Sequence, residues 1–451
     1  MLQRWGAFLC VSPIKLVIRN GISSLATNKE STPSLLIACS RDLIDTEAMP
    51  PDQSATGVRK PASRIRTTRT RISSARRTFA ALLIASVLIL TAAAWPFTRA
   101  HLQALVILKL ASGQPVPWLL AKTIAEPVTT EEIQLPGENG TIRARLYHPT
   151  GKANAPGLIV LHGVHHLGMD EPRLMGFAAA MASCGLQVLT PELPGIRDYH
   201  VDRSSVRVIG ESAKWFAQKT GTPAGVMGLS FSGGLALVAA SDPLYRPDFK
   251  FVFAVGAQDA MDHVAQFYLT GAETRPDGTI EHLRAHEYGA LVLEYEHLED
   301  FVPAADVEAI RPVLRQHLYE DKAAEILATK SLNDRQRLEA AALMDSNAPA
   351  TLAKLAAANT LHIAEMEGLS PHGRLKTLTT PVFLLHGQAD NIIPAAETLW
   401  MASELSRQSL QAVLVSPVLS HLDLDGAQPD VIDTWRLVHF FALVMNAAGK
   451  R

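Results

Sequence analysis

Three side chains of the types that act together in nucleophilic catalysis, Ser230, Asp390 and His421, each follow a short apolar run. A serine hydroxyl is a weak nucleophile near neutral pH, so it needs a base within hydrogen-bond reach that is oriented by a third group. In an open α/β sheet the carboxyl ends of parallel strands meet at one edge, where sites form. The sequence therefore predicts a nucleophilic serine that attacks an acyl carbonyl, together with a base and an acid that activate it.

The serine lies in "GLSFSGG", residues 228–234, a near match to the Gly-x-Ser-x-Gly turn between a strand and a helix. This turn is so tight that only small residues fit two positions before the serine and two or three after it. Gly228 and Gly233 satisfy that rule, whereas Ser232 replaces the expected glycine with a small residue that can donate a hydrogen bond. The alternative is a small-residue turn without chemistry.

The acid has rivals. Asp390 follows the run "PVFLLHG", but it could be only a turn residue before Asn391. In that case Asp259 or Asp262, which follow the preceding apolar run, would supply the carboxylate.

The base is predicted to be His421, in "SHLD" after the last apolar run, although it could also be an ordinary loop histidine. His372 and His386 are weaker candidates because neither stands at a strand end before an acidic turn. His165 and His166 are not expected to bind a metal, since adjacent side chains should point apart and no third ligand is suitably spaced.

Short apolar runs that alternate with helical patterns must position these residues. Such runs are typical of parallel strands covered on both faces, so the alternation predicts a layered α/β sheet. A hairpin is predicted around "GENG" within residues 131–149. The six apolar runs are 157–163, 185–193, 224–228, 249–256, 381–387 and 410–416.

Together, "LHG" at 161–163, "GLSFSGG", "LLHGQAD" and "SHLD" resemble the α/β-hydrolase superfamily over residues 128–257 and 376–451. The resemblance implies the α/β-hydrolase fold, a mostly parallel twisted sheet flanked by helices, with the two ranges as halves of its core. It also implies a Ser230–Asp390–His421 triad and an oxyanion hole. The backbone of Phe231 and of Val164, or less favourably His165, would supply the two oxyanion donors.

Residues 258–375 interrupt the alternation, and no strand is predicted there. Apolar residues recur at helical spacing from Val307 to Leu318, and Asn333 with Gln336 forms a capping-box pattern. The stretch is predicted to be a helical cap that walls the pocket, although its apolar faces could equally form only its own core.

The N-terminal region has a different composition. Residues 1–75 are polar and basic and predict a disordered tail, 76–98 a transmembrane anchor or export signal, and 99–127 a linker with an amphipathic segment. Residues 79–97 carry no charge and are long enough to cross a bilayer. Within residues 53–125, which contain no acidic residue, eight basic residues precede this span and three follow it, namely Arg59, Lys60, Arg64, Arg66, Arg69, Arg71, Arg76 and Arg77 before, and Arg99, Lys109 and Lys122 after.

This charge asymmetry predicts that the tail stays in the cytoplasm and the catalytic part lies outside. The alternative is a secreted or periplasmic enzyme released after signal cleavage at the small-residue run 92–94. A net charge of −2 gives no argument for a nucleic-acid partner. The three cysteines, Cys10, Cys39 and Cys184, have no metal-ligand spacing.

These patterns predict a carboxylesterase-like serine hydrolase that acts on a small acyl substrate without a cofactor or metal. A peptidase or an acyltransferase would use the same triad. A degenerate, non-catalytic binding module is the alternative outside enzymes, and Ser232 is the only residue that hints at it.

Overall fold

The computed structural model describes residues 74–138, 140–152, 154–419 and 430–450. The predicted base His421 and nearly all of the basic tail lie outside these residues. The chain divides into two units, Pro13–Leu90 and a larger one formed by Met1–Ser12 with Thr91–Arg451. The described part of the smaller unit is helical.

The strands belong to one large sheet and one small hairpin. Their bounds are β1 Val128–Gly137, β2 Gly140–Pro149, β3 Gly157–Leu161, β4 Gln187–Pro191, β5 Ala224–Leu229, β6 Phe249–Val255, β7 Ala272–Thr274, β8 Ile280–His282, β9 Val382–Gly387 and β10 Leu410–Ser416.

The helices lie before, between and after these strands. Their bounds are α1 Ser74–Ala111, α2 Trp118–Ile124, α3 Pro172–Ser183, α4 Pro194–Arg197, α5 Arg203–Thr220, α6 Phe231–Ser241, α7 Met261–Thr270, α8 Glu287–Glu296, α9 Leu298–Phe301, α10 Val307–Leu318, α11 Lys322–Lys330, α12 Asp334–Leu343, α13 Pro349–Leu361, α14 Ile363–Leu369, α15 Ala396–Glu404 and α16 Val431–Gly449.

The large sheet has eight strands in the order β1-β2-β4-β3-β5-β6-β9-β10. The predicted hairpin is confirmed, since β1 pairs antiparallel with β2 around a tight turn. From β4 to β10 all neighbouring strands are parallel. The six predicted parallel strands are therefore confirmed, and the strands that precede Ser230 and Asp390 are separated only by β6.

Both faces of the sheet are covered. Leu158 and Val160 of β3 face a core that includes α3, α16 and the end of α1, whereas Ile159 and Leu161 face a core that includes α5 and α6. Because side chains alternate across a strand, a sheet buried on both sides needs apolar residues at almost every position. This is why the strands are visible in the sequence as unbroken apolar runs.

Helices α7 to α14 follow β6, and the expected helix at Val307–Leu318 is confirmed as α10. The capping box of Asn333 and Gln336 is also confirmed, at the start of α12. The expectation that residues 258–375 contain no strand is wrong, because β7 and β8 form a short antiparallel hairpin there. Its three-residue strands are too short to carry an apolar run.

Helix α1 continues well beyond the predicted boundary at residue 98, through Pro96, and ends at Ala111. Its last part enters the core, where Ala104, Val106 and Ile107 are fully buried. Among the described residues, one helical stretch is long and apolar enough to cross a membrane. It is Phe79–Ala111, within α1. Its large apolar residues from Phe79 to Leu90 are exposed.

Candidate active site

Ser230 lies at the sharp turn where β5 ends and α6 begins. Its backbone has φ 56° and ψ −135°, a conformation that residues with a side chain rarely adopt. The turn is held by the Ser230 amide, which donates to the carbonyl of Val255 on β6 at 2.8 Å, and by the Gly233 amide, which donates to the Ser230 carbonyl at 2.9 Å. A strained serine on a strand-to-helix turn is the geometry that exposes a nucleophilic hydroxyl.

The neighbours of Ser230 are small because the backbone leaves no room for larger residues. A methyl group on Gly228 would lie 2.5 Å from both Gly233 Cα and the Ser232 carbonyl oxygen. The Ser232 hydroxyl donates to the Leu229 carbonyl at 2.7 Å and accepts from the Leu229 amide at 3.1 Å. The departure from glycine at 232 therefore adds hydrogen bonds that close the turn.

The loop after β3, which was expected to form part of the oxyanion hole, lies beside this turn. A methyl group on Gly163 would lie 3.7 Å from Ser230 Cβ. His162 braces the loop, since its Nε2 accepts from the Leu193 amide at 3.0 Å and its Nδ1 lies 2.9 Å from the Gly163 carbonyl oxygen. The Nε2 bond assigns the proton to Nδ1, so His162 donates to the loop as a neutral ring.

Tyr288 of α8 also holds this loop. Its hydroxyl donates to the Val164 carbonyl oxygen at 2.8 Å. Burial raises the pKa of Tyr288 well above its usual value, so the hydroxyl keeps its proton and remains a donor. No sequence pattern predicts this contact, because Tyr288 lies far from Val164 along the chain.

Asp390 is buried in the loop after β9. Its Oδ1 accepts from the amides of Ile392 and Ile393, both at 3.0 Å. Two amide donors stabilise the ionised carboxylate, which is the form that orients and stabilises an imidazolium.

His421 lies outside the described residues, but the chain can be followed to Leu419. Leu419 lies against the end of β9, since a methyl group on Gly387 would lie 2.7 Å from its carbonyl oxygen. The Asp390 amide donates to the Gly387 carbonyl at 3.3 Å. The segment that leads to His421 and the loop that carries Asp390 therefore start from the same point of the sheet edge.

Asp259, an alternative candidate for the acid, is fully buried after β6, and its carboxylate pairs with His372. Its Oδ2 lies 2.8 Å from His372 Nδ1, which is also 3.0 Å from Glu404 Oε1. Burial, together with the nearby Glu397 carboxylate, raises the pKa of Asp259 to about 7. His372, an alternative candidate for the base, is thus paired with Asp259, an alternative candidate for the acid. The described contacts of this pair include no serine hydroxyl.

Glu397 organises the loop around Asp259. Its Oε2 accepts from the Asp259 and Ala260 amides, both at 2.8 Å, and its Oε1 lies 3.3 Å from His263 Nδ1. The hydrogen bond to Glu397 raises the pKa of His263 to about 9. A cavity of about 290 Å³ opens here between α7 and α15, and Ser230 does not line it. Asp262, the other rival acid, is exposed on α7.

His386 is fully buried and serves the loop of Asp390 as a support. Its Nδ1 lies 2.7 Å from Thr398 Oγ1 and its Nε2 lies 2.8 Å from the Ile393 carbonyl oxygen. Burial lowers the pKa of His386, but the neighbouring Asp390 carboxylate and the Ile393 carbonyl outweigh it, so the net pKa is raised. Both ring nitrogens are occupied by structural contacts.

The expectation that His165 and His166 point apart is wrong. Their rings stack with centroids 4.6 Å apart, because the chain here runs through turns instead of an extended strand. Burial lowers the pKa of His165 to about 4. Among the described residues, two groups combine carboxylates and imidazoles at metal-binding spacing, Asp259 with His372 and Glu404, and His297 with Asp300 and His362.

No family model matches the sequence, and no curated protein matches it. Several solved structures are similar. A brefeldin A esterase, described as a bacterial homologue of human hormone-sensitive lipase, is 16% identical over 72% of this chain and 76% of its own, with a TM-score of 0.40. An esterase from Pyrobaculum calidifontis is 18% identical over 77% of this chain and 91% of its own, with a TM-score of 0.39.

An acylaminoacyl peptidase from Pyrococcus horikoshii is 13% identical over 67% of this chain, with a TM-score of 0.37. The match covers 39% of the peptidase's own length. The fold follows from this chain's own sheet and turn. An eight-stranded, mostly parallel sheet covered by helices, with a serine at the strained turn after β5, is the architecture of the α/β-hydrolase fold.

Proposed function

We propose that the protein is a serine hydrolase that cleaves carboxylic esters through an acyl-enzyme. The observation that carries the proposal is the strained backbone of Ser230 at the turn between β5 and α6. Strain of this kind costs about 1–3 kcal/mol and persists only where the surrounding structure enforces it. The close packing of Gly228 and Gly233 and the Ser232 hydrogen bonds enforce it here.

In this mechanism His421 removes the proton from Ser230 Oγ as the oxygen attacks the ester carbonyl. The Asp390 carboxylate orients the ring and stabilises the imidazolium that forms. The amides of Phe231 and Val164 stabilise the oxyanion. The tetrahedral intermediate expels the alcohol, which takes the proton from His421, and the acyl group stays on Ser230.

Water then completes the reaction. His421 takes a proton from the water molecule, whose oxygen attacks the acyl carbonyl. The second tetrahedral intermediate releases the carboxylic acid as His421 returns the proton to Ser230 Oγ. Two observations support the roles of the loops. The Gly163 loop lies beside Ser230, and the chain leading to His421 starts next to the Asp390 loop.

A peptidase or an acyltransferase would use the same groups, and a binding module would use none of them. Ser232, which replaces the usual glycine, was the only residue that indicated a non-catalytic binding module. Its hydroxyl closes the turn through two hydrogen bonds to Leu229. This contact removes the reason for regarding the turn as degenerate.

A fluorophosphonate probe and a p-nitrophenyl ester series test the proposal. Ser230→Ala should abolish labelling and lower kcat by about 10⁴-fold or more, since the nucleophile is lost. Ser232→Gly, which restores the usual small residue, should retain labelling. A folded wild-type protein that is neither labelled nor active would contradict the proposal.

We further propose that residues 79–97 anchor the enzyme in a membrane and that its catalytic part is extracytoplasmic. The length and apolar composition of α1 support an anchor. Exposed Trp95 and Phe97 at the end of the span support it as well, because aromatic residues favour the membrane interface. Release after signal cleavage is the alternative.

A further inference from the structure

Two histidines meet inside the segment that follows β6, at the junctions between consecutive helices. His297 separates α8 from α9, and His362 separates α13 from α14. Their imidazole rings stack with centroids 3.7 Å apart and an interplanar angle of 15°. The helix junctions therefore bring together two potential nitrogen ligands that are far apart in the sequence.

A carboxylate accompanies each histidine three residues later in the chain. Asp300 follows His297, and its Oδ2 lies 2.7 Å from His362 Nε2. Glu365 follows His362, and its Oε2 lies 3.5 Å from His362 Nδ1. In a helical turn this spacing places both residues on one face.

The potential ligand atoms are close enough for one ion. One atom each from His297, Asp300 and His362 lies within 4.8 Å of the others. His297 and His362 are partly buried and Asp300 is exposed, so an ion could enter from solvent. Glu365 contacts the other ring nitrogen of His362, which is how carboxylates orient metal-bound imidazoles.

We propose that His297, Asp300 and His362 form a site for a divalent transition metal, with zinc as the expected ion. Two imidazole nitrogens and one carboxylate oxygen are ligands that zinc prefers, whereas magnesium and calcium favour oxygen-only sites. The function proposed above does not require this site.

The second group of candidate ligands, around Asp259, does not present the same case. There, a single imidazole nitrogen of His372 lies 2.8 Å from one carboxylate and 3.0 Å from another, so one Nδ1–H can donate to both. At the His297 site two separate imidazoles each bring a ring nitrogen within 4.8 Å of the same carboxylate oxygen. Among the described residues, the His297 ring makes no side-chain hydrogen bond.

A bound ion would join the junction of α8 and α9 to the junction of α13 and α14. These parts already touch, since Lys354 Nζ of α13 donates to the Phe301 carbonyl of α9 at 2.5 Å. Because a ligand that binds only the folded state raises its stability, the ion would make the folding of this helical segment depend on metal.

The test uses the full-length protein in detergent, stripped of metal with a chelator and then titrated with zinc or cobalt(II). We expect one ion per chain, an upward shift of the unfolding temperature with zinc, and cobalt absorption bands of a nitrogen and oxygen site. His297→Gln, His362→Gln and Asp300→Asn should each weaken binding at least about 10-fold. The matched control is His317→Gln, which removes another histidine of this segment that pairs with a carboxylate, Glu325, at 3.1 Å.

Two results would overturn the proposal. One is a folded wild-type protein that binds no zinc at micromolar concentrations. The other is zinc binding that survives these three substitutions but is lost in His372→Gln, because the ion would then occupy the Asp259 group. Asp300 is exposed, so Asp300→Asn keeps the test valid if a histidine variant fails to fold.

Discussion

The Ser230 turn combines a strained backbone with neighbours that leave it no other conformation. Relaxing φ from 56° would require Gly228, Ser232 and Gly233 to separate, although they are in direct contact. The cost of the strain is thus offset by packing and by the hydrogen bonds of Ser232. The backbone that carries the Ser230 hydroxyl is therefore fixed before any substrate arrives.

This packing leads to a prediction for Gly228→Ala. The new methyl group would lie 2.5 Å from backbone atoms that cannot move cheaply, so we expect a loss of about 1–3 kcal/mol in stability and a marked fall in kcat. Gly176→Ala is the control, because nothing lies within 4 Å of its new methyl group in α3 and it should gain about 0.5–1 kcal/mol. Denaturant unfolding measures both, and equal effects at the two sites would refute the tight turn.

The choice of acid leads to a second prediction. Asp390→Asn keeps an oxygen that can accept from the Ile392 and Ile393 amides but removes the charge. We expect kcat to fall about 10⁴-fold with little change in KM. Asp259→Asn should change kcat less than about 10-fold, since Asp259 is paired with His372. If only Asp259→Asn abolishes ester turnover, the triad is assigned wrongly.

At the scale of elements, helix α8 contacts the loop after β3 and holds it in place. The contact is the hydrogen bond from Tyr288 to the Val164 carbonyl oxygen. In the proposed mechanism the amide of Val164 must point at the developing oxyanion, so a positioning contact on its carbonyl affects the transition state more than substrate binding.

Tyr288→Phe is therefore expected to lower kcat about 3- to 10-fold with a smaller change in KM, in line with a hydrogen bond worth about 0.5–1.5 kcal/mol. Tyr268→Phe is a matched control in the neighbouring helix α7. Among the described residues, the buried Tyr268 hydroxyl has no hydrogen-bond partner, so its removal should cost nothing. Similar kinetic losses in both variants would show that the Tyr288 contact has no special role.

The elements that could be predicted from the sequence are those whose burial leaves a pattern. Five of the six parallel strands are buried almost throughout, and α10 carries its apolar residues at helical spacing. The edge strand β10 is only partly buried, but its sequence is still mostly apolar. The hairpin of β7 and β8 leaves no such pattern. The turn at Ser230 was predictable because its glycines are local, whereas the contacts of Tyr288 and the pairing of His297 with His362 depend on tertiary packing.

At the scale of the whole molecule, one helix carries both the membrane-length span and part of the folded core. The His101 ring stacks on Trp435 of α16 with centroids 5.3 Å apart, and its Nε2 lies 3.0 Å from His439 Nδ1. Gln103 Nε2 donates to the Cys184 carbonyl at the end of α3. These contacts explain why the helix does not break at residue 98, where the sequence alone placed a linker.

Reporter fusions test the proposed membrane topology, with the catalytic part outside the cytoplasm. A reporter enzyme that is active only outside the cytoplasm, fused after Arg451, should be active, because within residues 53–125 eight basic residues precede the span and three follow it. The same reporter fused ahead of the span should be inactive. If only the fusion ahead of the span were active, the proposed orientation would be reversed.

The burial of residues 100–108 also determines where the enzyme can be cut free of a bilayer. Proteolysis ahead of Thr91 leaves those residues in place, so the released body keeps its apolar interior covered. A cut after Ala111 would instead remove Ala104, Val106 and Ile107, which are fully buried in a core that includes α3 and α16, and so expose that apolar core. The first product should stay in solution as a monomer, and the second should aggregate.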